Sequence, residues 1–217
     1  MIGIGAFKTA HPGWLTLSPI VSSSLGSCSQ HDVVVKRPFY RVPPTSQAAA
    51  SSLKIVRYSS VDELKHVLKE SIVMYWAKSL LNYTYDYIDH HISTSPTPLP
   101  FEIPHVHFVD AGVALGYGQR ITSSKPGEKS NTKAGTVLAI YLLEEHIVFD
   151  DNQEFTNFIH NMDYMPSLDE DQYGYDLAIF LTFTQHIQYV QNEGLVSVLD
   201  YQGIYHSALL NTPFHED

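Results

Sequence analysis

Three observations predict an α+β fold. Short β-branched apolar runs, among them Val33-Val34-Val35 and Val137 to Leu143, read as strands. A single long stretch, Ser60 to about Ile92, carries helical spacing instead. The 217 residues are 44% apolar and 12% aromatic, enough to bury a core in one ordinary domain or two small lobes.

In chain order, Gly3-x-Gly5 precedes a strand-like Trp14-Leu15-Thr16-Leu17. Paired glycines let backbone amides approach a phosphate, and they equally suit a hairpin turn. Residues 18–31 are Ser-rich and read as a loop holding Cys28. Val33-Val34-Val35 ends in Lys36, an ammonium at a strand end that is either solvated or set to grip phosphate. Residues 43–52 read as a linker.

The helix from Ser60 is expected to open with a Ser60/Glu63 capping box and to bury Leu64, Leu68, Ile72, Trp76 and Leu80, spaced four apart. Glu70, near its middle, is either a surface glutamate or an ion-pair partner for Lys36. After a Pro-rich connector come strand-like Val106 to Ala114, a polar stretch at 119–135, and Val137 to Leu143 running into Glu144-Glu145-His146-Ile147. That last segment is either an acidic loop or a hinge for an adenine edge. Phe155 to Asn161 reads as a short amphipathic piece and Leu177 to Tyr189 as a helix carrying His186. Leu195 to Leu199 reads as a strand delivering Asp200, Gln202 and Gly203, so Asp200 either opens a turn or sits as an acid at a cleft mouth.

The net charge of −10, with 13 Lys and Arg, argues against nucleic acid as a partner, since phosphate backbones are bound by charge neutralisation. With Cys28 the one cysteine there is no internal disulfide and no paired-cysteine zinc signature. Neither a membrane-length apolar run nor a secretory leader is present, so the expectation is a cytoplasmic protein without a membrane anchor. None of the histidines, His90-His91 included, has the spacing of a metal motif.

Taken in order, GAFKTAHPGWLTL, VVVKRPFY, LKESIVMYWAKSLLNYTYDYI, YLLEEHI and FTQHIQYVQNEGLVSVLDYQG resemble the alpha-kinases, the atypical protein kinases, with the likeness strongest to fungal members. HRD and DFG motifs are absent, which separates the chain from conventional protein kinases. The resemblance spans Gly3 to Gly203 and implies a two-lobed kinase fold, with an N-lobe at 1–147, a partial C-lobe at 148–217, and ATP between them. It implies a Ser/Thr protein kinase acting on a protein substrate with ATP and magnesium. Gly3 and Gly5 would lie over the phosphates, Lys36 would contact them, Glu70 would pair with Lys36, and Glu144 would sit in the adenine hinge. Asn161 would lie near the phosphates, Asp200 would deprotonate or position the hydroxyl, and Gln202 would hold magnesium. His186 would match a ligand of the family's zinc.

Departures from the family pattern are equally specific. Asn157 stands where the family has a lysine, and Thr212 where it has an aspartate. The chain is expected to stop short of the family's C-terminal glycine-rich loop and of the residues that complete the zinc site. A catalytically inactive pseudokinase acting as a binding module, or a truncated fragment, is therefore the alternative to an active kinase.

Overall fold

The computed structural model describes residues 1–42, 54–118, 135–148 and 155–204. The expected linker at 43–52, most of the polar stretch at 119–135, and the tail with Thr212 lie outside the described residues. The chain is α+β, with an antiparallel sheet and two helices among the described residues. It divides into two compact units, one formed by Met1–Tyr75 with Phe108–Ile147 and the other by Trp76–His107 with Val148–Asp217.

The first unit contains a six-stranded sheet. Its strands are β1 (Gly3–Ile4), β2 (Lys8–Leu15), β3 (His31–Val42), β4 (Lys54–Arg57), β5 (Ala111–Gly118) and β6 (Thr136–Glu145), in the order β1-β2-β3-β6-β5 with β4 also on β3. β3 pairs along one edge with β2, and along the other first with β6 (Val33 to Lys36) and then with β4 (Phe39 to Val42). The apolar run Val33 to Val35 is thus only the start of a 12-residue strand, and Lys36 lies mid-strand instead of at its end. The expected strand from Val106 begins only at Ala111.

Helix α1 (Ser60–Thr94) starts one residue earlier than its capping signal suggested. Ser59 is the cap: its Oγ accepts from the Asp62 amide at 3.2 Å and its carbonyl accepts from the Glu63 amide at 2.8 Å. Glu63 is therefore free for another role. The stripe expected to be buried is instead on the open side: Leu64, Leu68, Ile72 and Trp76 are 36%, 42%, 54% and 58% exposed. A step of four residues advances the helix by about 400°, so a run of fours drifts off any single face. Burial follows alternating steps of four and three, through Glu63, Val67, Glu70 and Met74. Val67 packs with Ile140 and Leu142 of β6, with Met74, Ala111, Val113 and Val137 around them.

Glu63 is fully buried. Its carboxylate accepts from Arg37 Nε at 2.7 Å, Arg37 Nη2 at 3.2 Å and the Ile140 amide at 3.2 Å. Ile140 lies past the last β3–β6 rung, where β3 turns to β4, so its N–H has no strand partner on that side. Glu63 fills that gap and joins α1 to the sheet at the fork.

The second unit contains the C-terminal part of α1, the ribbon of β7 (Thr156–Ile159) with β8 (Tyr201–Gly203), and helix α2 (Tyr175–Gln191). Phe158, Ile159, Leu177, Ala178, Phe180, Leu181, Ile187 and Tyr201 are buried there. Tyr85 ties α1 to the Pro-rich connector, donating to the Pro104 carbonyl at 2.8 Å and accepting from the Val106 amide at 2.8 Å. Leu195 to Leu199 is not a strand. Asn192 ends α2, and its Oδ1 accepts from the Leu195 and Val196 amides at 2.8 and 3.1 Å, satisfying inside a turn the donors that a ladder would need.

Candidate functional site

Register places the charged groups of the first unit. Lys36 on β3 lies opposite Ala10 of β2 and Leu142 of β6; Lys8 lies opposite Pro38, and Glu144 opposite Val34. Side chains two apart on a strand share a face, so Lys8, Lys36 and Glu144 all project from the side that carries Leu142. α1 covers that side, as the Val67 packing shows. Glu70, one helical turn after Val67, reaches Lys8.

Two ion pairs result. Lys8 pairs with Glu70 and Lys36 pairs with Glu144. The expected Lys36–Glu70 pair is not formed, because Glu144 is the diagonal neighbour of Lys36 on the same face while α1 delivers Glu70 one strand further along, over β2. The lysine side chains are each 28% exposed and Glu144 only 10%. Burial pushes the Lys8 ammonium below its ordinary value, the nearby positive charge of Lys36 lowers it further, and Glu144 partly offsets both. The four groups form a near-neutral cluster in which the two lysines feel one another.

Beside the cluster lies the glycine hairpin. Gly3 pairs with Ala10, and the Gly5 amide donates to the Lys8 carbonyl at 2.8 Å, closing a tight turn just before Lys8. Neither glycine has positive φ. A Cβ on Gly3 would meet nothing within 4 Å and one on Gly5 only the Lys8 carbonyl at 3.7 Å, so the fold itself does not require glycine at either place.

The expected hinge is largely committed. The Glu145 amide donates to the Asp110 carbonyl at 2.8 Å and the His146 amide to the Asp32 carbonyl at 3.3 Å. Glu144 contributes its carboxylate to Lys36.

In the second unit Asp200 stands exposed at the entry to β8 with a φ of 64°, a left-handed backbone that aspartate tolerates better than most residues. Both flanks of this turn are held by α2. The Val198 amide donates to Gln188 Oε1 at 2.9 Å, and the buried Tyr201 hydroxyl lies 3.1 Å from Thr184 Oγ1 and 3.4 Å from Gln188 Nε2. Burial pushes the Tyr201 phenol up, while Thr184 and Gln188 pull it partly back. Thr184 and Gln188, four apart on α2, were not singled out in the sequence. Their polar character at buried helical positions is the signal that could have found them.

Gln202 is exposed and lies opposite Asn157 in the β7–β8 ladder. Asn157 Nδ2 is 3.1 Å from His160 Nδ1, and its Oδ1 is buried without a hydrogen bond. Asn161 is exposed in the turn after β7. His186 is exposed on α2, and among the described residues no group of three or more His, Cys, Asp or Glu could hold a metal ion.

The described residues contain no helix long and apolar enough to cross a membrane. The chain matches no family model, no curated protein and no solved structure.

Proposed function

We propose that the chain is an ATP- and magnesium-dependent Ser/Thr protein kinase of the alpha-kinase type, with the two-lobed fold of that family. One observation carries the reading: Lys8 and Lys36 project from one sheet face beside a hairpin whose glycines the fold does not require. Two ammonium groups from adjacent strands suit a polyphosphate, and bare backbone at Gly3 and Gly5 leaves room for it. On the resemblance, Asn161 would supply an amide to the nucleotide. Asp200 accepts the proton of the substrate hydroxyl, and its turn is kept in place by Gln188 and Tyr201. Gln202, exposed beside Asp200, would help hold magnesium through its side-chain oxygen, and magnesium held there would supply positive charge to the transferring phosphoryl group. The setting is the cytoplasm and the acceptor a protein, not nucleic acid.

A second reading, a pseudokinase that binds nucleotide without turnover, is favoured by Asn157. A neutral side chain turned toward His160 stands where the resemblance puts a lysine, so a charge useful to the transition state is missing. Incubation with γ-labelled ATP, magnesium and a Ser/Thr substrate separates the two. Transfer lost in Asp200→Ala and Lys36→Ala supports the kinase. A melting temperature raised by ATP, lost in Lys36→Ala, with transfer no greater than in Asp200→Ala, supports the pseudokinase. No labelling and no thermal shift at millimolar ATP would remove both.

A further inference from the structure

We propose that Glu144 is a built-in competitor for nucleotide phosphate: its carboxylate holds Lys36 in the free protein, and phosphate binds by taking that place. This rests on the phosphate-binding reading of Lys8 and Lys36.

The two carboxylates of the cluster differ in their freedom to leave. Glu70 extends from a helix and its side chain is 33% exposed, so it can give up Lys8 and turn to water. Glu144 sits between two ladders, paired with Val34 on one side and Ala111 on the other, with a side chain only 10% exposed. It can neither follow a lysine outward nor find comparable solvation elsewhere. Lys36 reaches it by direct pairing, and Lys8 at longer range.

Charge balance sets the consequence. Lys8 and Lys36 already match Glu70 and Glu144 one for one. A polyphosphate that captures both lysines leaves two carboxylates beside an anion, and only Glu70 can retreat. Glu144 therefore opposes binding twice, by holding Lys36 beforehand and by repelling the phosphate afterwards. A purely structural role for the pair predicts the reverse, since losing Glu144 would loosen β3 against β6 and weaken any ligand held by Lys36.

Calorimetric titration with magnesium-ATP and with inorganic tripolyphosphate tests this on the full chain, as wild type, Glu144→Gln, Glu70→Gln and Lys36→Met, with Lys65→Ala as a surface control. Glu144→Gln is expected to bind both ligands roughly tenfold tighter, Glu70→Gln to change less, and Lys36→Met to abolish the gain when combined with Glu144→Gln. If Glu144→Gln folds poorly by its melting curve, Glu144→Asp, one methylene shorter, is expected to tighten binding in the same direction by a smaller factor. Unchanged or weaker binding in the Glu144 variants, with wild type binding normally, overturns the proposal and leaves the phosphate reading standing. Absence of binding in every protein defeats the phosphate reading itself.

Discussion

Lys36 is held by Glu144, its diagonal neighbour across the β3–β6 ladder, while Glu70 of the long helix is taken by Lys8. The pair joins two strands of one sheet face and is mostly shielded from water, so its members are coupled. A double-mutant cycle with Lys36→Met and Glu144→Gln, read by urea denaturation, is expected to give a coupling of about 1–3 kcal/mol. Additivity of the two changes would show the pair to be energetically idle.

Glu63 is the stronger structural element. It is fully buried and satisfies both the Arg37 guanidinium and the Ile140 amide at the sheet fork. Glu63→Ala leaves a guanidinium and an amide without their acceptor, and a loss of about 3–5 kcal/mol is expected. A denaturation midpoint within error of wild type would contradict the assignment.

Gly3 separates fold from ligand. Its Cβ position is open, so Gly3→Ala is expected to leave thermal stability within about 0.5 kcal/mol of wild type while weakening ATP binding several-fold. Equal ATP affinity in the two proteins would show that nothing approaches the backbone there.

Asp200 occupies a left-handed backbone that glycine adopts freely. Asp200→Gly is therefore expected to be neutral or to stabilise by up to about 1 kcal/mol, and to abolish phosphate transfer. A variant that kept transfer would remove Asp200 from the chemistry. Gln188→Ala, which frees the Val198 amide and one partner of Tyr201, is expected to cost about 1–2 kcal/mol and to slow transfer with little change in ATP affinity.

The lowered Lys8 value fixes the sign of one pH dependence. In the folded protein Lys8 gives up its proton below the ordinary lysine value of 10.5, so between the two values the unfolded chain binds more protons. Stability from this group consequently rises with pH across that window. Lys8→Met is expected to flatten that part of the profile, measured by urea midpoints as pH is raised toward 10.5. An unchanged slope would mean that Lys8 is not held away from water.

The sequence legibly carried the α+β class, the long helix, α2, the strand ending near Glu144 and the hairpin glycines, because each is a local pattern of side-chain type and spacing. It also drew attention to Lys36, Glu70, Glu144, Asp200 and Gln202 as candidate site residues, without telling which of them meet. The buried face of α1 differs from the expected stripe because a run of apolar fours winds around the helix. The strand expected at Leu195 to Leu199 failed because Asn192 turns back to take two of its amides.

What only the tertiary structure decided is partnership. Which carboxylate meets Lys36 depends on the β3–β6 register and on where α1 crosses the sheet, and those are set by how Val67, Ile140 and Leu142 pack and by Glu63 filling the fork. Local sequence determines that a residue is charged and on which element it lies. Contacts between residues far apart in the chain determine what that charge faces, and here they hand Glu70 to Lys8 and Glu144 to Lys36.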